Sequence, residues 1–222
     1  MLQSVKDTDA LAETLADTRL NALCIGPGHG LSDRTRDFVL AALSPLSREE
    51  GGVRRATVLD ADALTVFQDD PETLFAALHP KCVLTPHAGE FKRLFPDIHA
   101  KLAEPATKGP AYSKVDATRE AAARAGCTVL FKGPDTVIAD QTGRAAINSA
   151  HYDRAAPWLA TAGSGDVLAG FITGLLARGF QPMDAAETAA WLHVECALKF
   201  GPGLIAEDIP EQLPAVFRDL DL

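Results

Sequence analysis

Short runs of β-branched or apolar residues alternate with longer amphipathic segments along this chain. Such alternation is typical of a layered α/β domain, in which helices flank a mainly parallel central sheet. The predicted strands cover residues 21–25, 56–59, 82–84 and 128–131. A further pair, at residues 136–139 and 144–147, flanks a turn at 140–143 and predicts a hairpin at the edge of the sheet.

The amphipathic segments predict helices at residues 7–17, 33–43, 72–78, 116–125, 165–177, 184–200 and 211–220. Local signals support them. Asp116 stands at the start of its segment with Glu120 nearby, and Gly126 follows at the position where a left-handed residue ends a helix. Residues 105–113 collect proline, glycine and small polar side chains, which indicates a surface loop.

The composition favours one globular domain over residues 1–222. Hydrophobic residues make up 47% of the 222, so a core can form, and the length exceeds the roughly 150 residues of an average domain without reaching two. No repeat, low-complexity tract or linker divides the chain. The 30 acidic against 21 basic residues give a net charge of −9, which argues against nucleic acid and membrane partners, because both bind through clustered lysine and arginine.

Two further features bear on location and redox chemistry. The longest nearly apolar run, residues 167–177, is too short for a bilayer, and the N-terminus lacks the order of a signal peptide, so a cytoplasmic location is expected. The chain has four cysteines, which form no C-x-x-C pair, and neither disulfides nor a cysteine metal site is expected: Cys24, Cys82, Cys127 and Cys196.

The most informative segment for chemistry covers residues 160–166, which read Ala-Thr-Ala-Gly-Ser-Gly-Asp before an apolar helix. Gly163, Ser164 and Gly165 lie at the helix start, where free backbone N–H groups and the positive end of the helix dipole favour a bound anion. Asp166 lies in the first turn, where the same dipole favours its ionised form, so it could accept a proton from a hydroxyl. A capped helix with aspartate in its first turn explains the pattern equally well.

Three other segments follow predicted strands. His87 and Glu90 come after residues 82–84, where side chains would project beyond the carboxyl end of the sheet, although a proline-initiated surface helix is the simpler explanation. Lys132 and Gly133 follow residues 128–131 and suit a phosphate and a closely approaching nucleotide, but a strand-to-hairpin turn would look similar. The bend at residues 26–30, which contains Gly28, could contact a pyrophosphate or ribose.

One possible metal site is not expected to form. His193, Glu195 and Cys196 are close in sequence, but they lie within an apolar helix. His193 and Glu195 project from different faces of that helix, so they cannot converge on one ion.

Several motifs together carry a family resemblance. In chain order they are Thr85-Pro86-His87-Ala88-Gly89-Glu90, Lys132-Gly133 with Thr136, and Thr161-Ala162-Gly163-Ser164-Gly165-Asp166. The chain resembles the ribokinase-like superfamily and, within it, the ADP- or ATP-dependent NAD(P)H-hydrate dehydratases. The resemblance runs from about residue 21 to the C-terminus and includes residues 58–64 and 201–209.

The resemblance implies a metabolite-repair enzyme. ADP or ATP would phosphorylate the hydroxyl of a hydrated nicotinamide ring, and loss of phosphate would restore NADH or NADPH. Asp166 would be the catalytic base, next to an anion hole built from Gly163, Ser164 and Gly165. The substrate would contact Gly28, His87 and Asp166. The nucleotide would contact Lys132, Gly133, Pro134, Asp135, Thr136 and Gly165. A Mg²⁺ ion bridging the phosphates is expected, with no protein ligand for it apparent from the sequence.

Three differences from the family pattern are apparent. Family members usually begin with a further segment that helps to form the substrate pocket, and the expectation here is an N-terminally truncated domain. The exposed sheet edge that this would leave favours self-association, so a homo-oligomer is expected. His29 replaces a leucine of the glycine-rich bend, and residues 154–159 replace a stretch rich in glycine and asparagine.

Two alternatives stay open at this point. The anion hole and Asp166 would serve any hydroxyl-phosphorylating member of the superfamily, so a kinase for a sugar or a vitamin alcohol is one. The other is a catalytically silent nucleotide-binding module. The segment from Thr85 to Glu90 favours the dehydratase, because it resembles that group specifically.

Overall fold

A six-stranded sheet forms the centre of the structure, a computed structural model that describes residues 4–44, 54–104 and 110–221. The strands lie side by side in chain order. They are β1 (Ala22–Ile25), β2 (Ala56–Leu59), β3 (Cys82–Leu84), β4 (Thr128–Phe131), β5 (Asp135–Ala139) and β6 (Ala145–Ser149). Strands β1 to β4 are parallel, whereas β5 is antiparallel to both β4 and β6. The α/β class and the edge hairpin predicted from the sequence are therefore confirmed.

Eleven α-helices surround the sheet within the described ranges. They are α1 (Thr8–Leu15), α2 (Asp33–Leu43), α3 (Asp62–Thr65), α4 (Pro71–Ala77), α5 (Ala88–Leu94), α6 (Pro96–Leu102), α7 (Lys114–Ala125), α8 (Ser164–Ala177), α9 (Pro182–Phe200), α10 (Asp208–Glu211) and α11 (Leu213–Asp219). Two short 3-10 turns, Tyr152–Arg154 and Pro157–Ala160, lie between β6 and α8.

The helices form one layer on each face of the sheet. Because β1 to β4 follow one another in order and in one direction, the helices that connect them pack on a single face, where α1 to α7 share one apolar cluster. Helices α8 and α9 cover the other face. Neighbouring strand residues point to opposite sides, so Leu59 and Leu84 join the first cluster while Val58 and Val83 join the second.

Several predicted boundaries were wrong by a few residues, for local reasons. Helix α7 begins at Lys114 and not at residue 116, because Ser113 and Asp116 form a reciprocal capping box. Gly126 ends it in the predicted left-handed conformation, with φ of 65°. The segment at 211–220 is not one helix but part of two, α10 and α11, because Pro214 has no N–H group to continue the first.

The remaining differences concern short elements. Strand β6 starts one residue later than predicted and ends at Ser149, two residues later. Helices α3 and α6 were not predicted, since four and seven residues are too few to show a helical period. Of the predicted loop at 105–113, residues 110–113 have no regular structure, and 105–109 lie outside the described residues.

Two absences can be stated for the described part of the chain. It contains no helix with the length and apolar character needed to cross a membrane. It includes all four cysteines, and each of them is a free thiol.

A buried histidine near the amino edge of the sheet makes the stability of the fold depend on pH. His79, between α4 and β3, is 7% exposed, and its Nδ1 atom has no hydrogen-bond partner among the described residues. Burial, with help from Arg54 and Lys81, lowers the pKa of His79 to about 4. The unfolded chain binds this proton more readily, so the free energy of unfolding should fall as pH falls from 6.5 towards 4.

We expect a loss of roughly 1–2 kcal/mol between pH 7 and pH 5 from this residue. Urea unfolding of the wild type and of His79→Leu at both pH values measures it. The variant should lose part of the pH dependence. An equal dependence in both proteins would show that His79 is not protonated on unfolding.

Candidate active site

Lys132 lies at the centre of a polar cluster beyond the carboxyl ends of the parallel strands. It follows β4, and its Nζ atom donates to Asp60 Oδ1 at 2.7 Å and lies 4.0 Å from Glu90 Oε2. The same Nζ atom is 3.3 Å from the place where a Cβ on Gly165 would be. This lysine therefore connects the ends of β2 and β4 with the start of α5 and the start of α8.

Asp60 is a buried carboxylate directly after β2. Its side chain is 1% exposed, and while Oδ1 accepts from Lys132, Oδ2 has no partner among the residues described. The loop after β1 packs tightly over it. A Cβ on Gly26 would lie 1.7 Å from the Asp60 carbonyl oxygen, so only glycine fits there. The fold thus places an unpaired carboxylate oxygen in the middle of the site.

The predicted bend at residues 26–30 lies beside this loop. Asp62 Oδ2 accepts a 2.7 Å hydrogen bond from the Gly30 N–H group, which ties the bend to the end of β2. Gly28 has a left-handed φ of 74°, and a Cβ there would meet no other atom within 4 Å. Its backbone is therefore not covered by neighbouring residues, and the predicted contact of Gly28 with a ligand stays a prediction.

His87 and Glu90 form a capping box at the start of α5. His87 Nδ1 accepts from the Gly89 and Glu90 N–H groups, and Glu90 Oε2 accepts from the His87 N–H group at 2.8 Å. A neutral ring therefore carries its proton on Nε2, which lies 3.4 Å from Glu90 Oε1. The His87 side chain is half exposed, whereas Glu90 is buried, and burial raises the pKa of Glu90. The simpler explanation, a capped helix, and the ligand-facing one both fit this geometry.

The start of α8 has the conformation expected of an anion-binding helix terminus. Gly163 caps the helix with φ of 84°, which favours glycine, and the helix begins at Ser164, one residue earlier than predicted. The Ser164 hydroxyl donates to the Leu159 carbonyl at 2.7 Å, so backbone N–H groups and not this side chain face a ligand. The N–H groups of the first turn have no partner inside their own helix, although that of Ser164 donates to the Thr161 carbonyl at 3.4 Å in the preceding turn.

Asp166 lies in this first turn, close to Asp60 and Asp62. Burial and the carboxylates of Asp60 and Asp62 raise the pKa of Asp166, and Lys132 partly offsets them. Burial is the largest of these causes, and it acts against the helix dipole that the sequence suggested would favour the ionised form. A carboxylate with a raised pKa is a stronger base than an exposed aspartate.

The predicted nucleotide-binding segment 132–136 is a tied loop. The Pro134 carbonyl accepts from the Ala150 N–H group at 2.8 Å. Asp135 Oδ1 accepts from the Ser149 hydroxyl, and the Thr136 hydroxyl donates to the Gly133 carbonyl at 2.9 Å. The side chains of Asp135 and Thr136, with these backbone hydrogen bonds, hold the loop in shape.

Lys114, the first residue of α7, also holds the loop at residues 132–136. Its Nζ atom donates to the Lys132 carbonyl at 3.1 Å and to the Asp135 carbonyl at 2.5 Å, and it lies 4.3 Å from the centre of the Phe131 ring. A Cβ on Gly133 would be 2.8 Å from this ammonium group. Burial lowers the pKa of Lys114 to about 8.

His193 and Glu195 point to different partners, as their helix faces predict. His193 Nε2 lies 2.8 Å from the Ser164 carbonyl oxygen, whereas Glu195 pairs with Arg154 at 2.7 Å. Throughout the ranges that the structure describes, no three histidine, cysteine or acidic side chains are grouped closely enough to hold a metal ion by themselves.

A cleft of about 530 Å³ lies at the opposite, amino edge of the sheet. Two of its three basic side chains are already used by the fold. Arg54 donates to the Leu43 carbonyl at 3.0 Å, and Arg55 donates to the Leu15 carbonyl at 2.6 Å, so both stabilise the C-terminal ends of helices. The cluster around Lys132 is therefore the better candidate for chemistry.

Comparison with known proteins gives an assignment that agrees with this geometry. A family model described as NAD(P)H-hydrate dehydratase matches residues 2–212. The chain belongs to this family.

The relatives of this dehydratase-family chain include longer proteins. It is 36% identical over 213 residues to the bifunctional NAD(P)H-hydrate repair enzyme Nnr of Salinibacter ruber, covering 94% of this chain and 35% of that protein. The Nnr enzyme of Moorella thermoacetica is also 36% identical, over 96% of this chain and 37% of that protein. The chain thus spans about a third of the length of these curated relatives.

Solved structures place the dehydratase-family chain in the ribokinase-like fold. The ADP/ATP-dependent NAD(P)H-hydrate dehydratase of Bacillus subtilis, co-crystallised with ATP and Mg²⁺, matches with a TM-score of 0.68 and 27% identity, over 94% of this chain and 69% of that one. A ribokinase-like superfamily protein from Enterococcus faecalis has the same TM-score at 24% identity, over 96% and 68%. The predicted fold family is confirmed.

Sequence reasoning gave no role in the candidate site to Asp60, Asp62 or Lys114, and it considered His193 only as a metal ligand. The two aspartates follow β2 in a motif that we assigned to the family resemblance without giving them a role. Acidic residues directly after a buried parallel strand are the signal that could have found them. Lys114 and His193 carry no such signal, because the side-chain hydrogen bonds of each join it to residues that are at least 18 positions away in the sequence.

Proposed function

We propose that this chain catalyses the nucleotide-dependent dehydration of hydrated NADH or NADPH. The terminal P–O bond of ADP or ATP breaks, and the phosphoryl group forms a new bond to the ring hydroxyl oxygen. The C–O bond then breaks and phosphate leaves with its electron pair. The neighbouring ring carbon loses a proton to water or to the leaving phosphate, and the electrons of that C–H bond form the double bond of NAD(P)H. The observation that carries this proposal is the convergence of Asp166, Lys132 and the start of α8 at one edge of the sheet.

Asp166 acts on the substrate hydroxyl in this proposal. Its carboxylate accepts the hydroxyl proton as the oxygen attacks phosphorus. The acidic neighbours that raise its pKa improve it as a base. Because it lies in the first turn of α8, the proton is removed beside the group being transferred.

The backbone at Gly163, Ser164 and Gly165 stabilises the phosphoryl group in transfer. Its N–H groups and the helix dipole act on charge that develops on the phosphoryl oxygens, and they need no rearrangement to do so. The absence of a side chain at Gly165 leaves room for Lys132, whose Nζ atom lies 3.3 Å from the place a Cβ would take.

Two sides of the site bind the two reactants. The backbone of Lys132, Gly133, Pro134, Asp135 and Thr136, together with Gly165, contacts the nucleotide; the loop ties described above hold this backbone in place. Gly28 and His87 contact the hydrated dinucleotide, since an open backbone and a half-exposed ring face solvent there.

The residues present fit a magnesium ion. Asp60 Oδ2 is a buried carboxylate oxygen without a partner among the described residues. Glu90 is near Asp60, because the same Lys132 Nζ atom lies 2.7 Å from Asp60 Oδ1 and 4.0 Å from Glu90 Oε2. Carboxylate oxygens are the ligands that Mg²⁺ prefers, and it commonly uses only one or two of them together with phosphates and water. Asp60 and Glu90 would hold it, and the ion would neutralise phosphate charge.

Location and assembly stay predictions. We propose a cytoplasmic protein, in keeping with a dinucleotide substrate, and a homo-oligomer. Size-exclusion chromatography with light scattering tests the latter.

The test of the function is the return of reduced-nicotinamide absorbance when the purified chain is mixed with hydrated NADH, Mg²⁺ and either ADP or ATP. Recovery with one nucleotide supports the proposal and identifies the donor. If absorbance does not return although nucleotide binds, the dehydratase proposal fails. Consumption of ATP with a sugar or vitamin alcohol would then indicate a kinase, and none with any alcohol a silent nucleotide-binding module.

Replacing His87 by Ala should raise the KM for the hydrated dinucleotide by about tenfold or more, and change nucleotide affinity by less than about threefold. Loss of the cap should also cost about 1 kcal/mol of stability. Steady-state kinetics with each reactant varied in turn measures the effect. An equal loss of affinity for the dinucleotide and the nucleotide would show that His87 does not contact the dinucleotide specifically.

A further inference from the structure

A buried histidine contacts the backbone of the proposed anion hole. His193 of α9 is 7% exposed, and its Nε2 atom lies 2.8 Å from the carbonyl oxygen of Ser164, the first residue of α8. A carbonyl oxygen can only accept a hydrogen bond, so Nε2 carries the proton and donates. The two residues are 29 positions apart, so this bond joins two helices.

The bond helps to hold the direction of an N–H group that would face the phosphoryl group, in addition to the hydrogen bonds of α8 itself. The Ser164 carbonyl and the Gly165 N–H group belong to one planar trans peptide unit, in which C=O and N–H point in opposite directions. Holding the oxygen therefore fixes the direction of the N–H group. We propose that His193 is a positioning residue that orients the Gly165 N–H group of the anion hole, an inference that rests on the function proposed above.

The local chain provides a reason why such an anchor is needed. Gly163 and Gly165 flank Ser164, and glycine backbones reach more conformations than any others. The Ser164 hydroxyl holds only the carbonyl of Leu159. The histidine adds to the hydrogen bonding of α8 a second bond to the same carbonyl, from a different helix.

The surroundings of His193 suit a neutral donor. The Phe171 ring packs edge-on against it, with ring centres 6.3 Å apart and planes at 84°. Burial, with a smaller contribution from Lys132, lowers the pKa of His193 to about 4. The imidazole therefore stays uncharged over the working pH range and supplies a hydrogen bond without adding a second positive charge beside the phosphates.

Three variants separate positioning from general packing. His193→Leu removes the donor, His193→Gln keeps an N–H donor near the same place, and His79→Leu removes another neutral histidine that is equally buried but lies at the opposite edge of the sheet. Removing one oxyanion-hole donor outright costs about 10²–10³ in kcat. We expect His193→Leu to lower kcat by about 10- to 100-fold while KM for the nucleotide changes less than about threefold.

His193→Gln should recover most of kcat, and His79→Leu should keep it. If folded His193→Leu, judged by circular dichroism, turns over like the wild type, or if folded His193→Gln is as slow as His193→Leu, the inference is wrong. Should His193→Leu fail to fold, His193→Gln compared with His193→Asn, whose shorter amide cannot reach Ser164, decides in the same way.

A binding measurement keeps this inference separate from the proposed reaction. Aluminium fluoride mimics a phosphoryl group in transfer, so in the presence of Mg²⁺ it should tighten binding of the nucleotide product, AMP if ADP is the donor or ADP if ATP is, to the wild type and to His79→Leu. We expect His193→Leu to lose most of this gain and His193→Gln to retain it. If the wild type fails to dehydrate the hydrate but shows this pattern, the proposed function falls and the role of His193 stands. No gain in the wild type would overturn that role.

Discussion

Asp166→Asn should lower kcat for dehydration by about 10³-fold or more while nucleotide affinity stays within about threefold of the wild type. Asparagine has nearly the shape of aspartate but cannot accept the hydroxyl proton. The N–H groups at the start of α8 remain, so the nucleotide still binds. Turnover is measured by recovery of reduced-nicotinamide absorbance and affinity by calorimetry.

The matched control is Asp184→Asn. Asp184 also lies in the first turn of a helix, α9, but it is exposed and pairs with Arg144 at 2.9 Å. We expect its kcat to be unchanged. Near wild-type turnover of Asp166→Asn would remove Asp166 from the mechanism.

The pH profile gives a second readout of the same residue. Because burial, Asp60 and Asp62 raise the pKa of Asp166, the loss of kcat on acidification should begin at a higher pH than for an ordinary aspartate. Mg²⁺ beside these carboxylates would lower the pKa of Asp166 and so move the loss of kcat to lower pH. The pH profile should therefore depend on the Mg²⁺ concentration.

Lys132→Met should reduce the free energy of unfolding by about 3–5 kcal/mol and abolish measurable nucleotide binding. The substitution removes the partner of Asp60 Oδ1, and Oδ2 already has none among the described residues. The buried carboxylate would then be unpaired, and a buried unpaired charge is costly. It also removes the positive charge that would face the phosphates. Urea unfolding and calorimetric titration with ADP measure the two effects.

Two further proteins make this result specific. Adding Asp60→Asn to Lys132→Met removes the stranded charge, so stability should recover in part while nucleotide binding should not. Lys199→Met breaks an ion pair of the same 2.7 Å length with Asp219 on the surface, and it should change stability by less than about 1 kcal/mol. If Lys132→Met is as stable as Lys199→Met, the buried pair does not support the fold.

Elements with local signals could be predicted from the sequence. Strands β2, β3 and β4 and helix α2 have the predicted bounds, because each is an apolar or amphipathic run between clear turns. The end of β6 was missed because Asn148 and Ser149 are polar residues of an edge strand, where the hydrogen bonds to Thr136 and Asp135 decide the structure.

In the candidate site, too, some features have a local sequence signal and others depend on contacts between distant residues. The glycine-containing segments of the candidate site carry a local signal, because turns and helix starts need particular residues nearby in sequence. The contact between Lys132 and Asp60 spans 72 positions, and that between His193 and Ser164 spans 29, so neither leaves a local pattern. Such contacts exist only once the sheet has brought the strand ends together.

The two sides of the candidate site are carried by different layers of the fold. Asp166 belongs to α8 on one face of the sheet, and His87 stands at the start of α5, whose apolar residues pack on the other. The sheet therefore separates the proposed base from His87, and its thickness sets the distance between these two proposed substrate contacts. Turnover of this protein should consequently report on the packing of Val58 and Val83, residues that touch neither reactant.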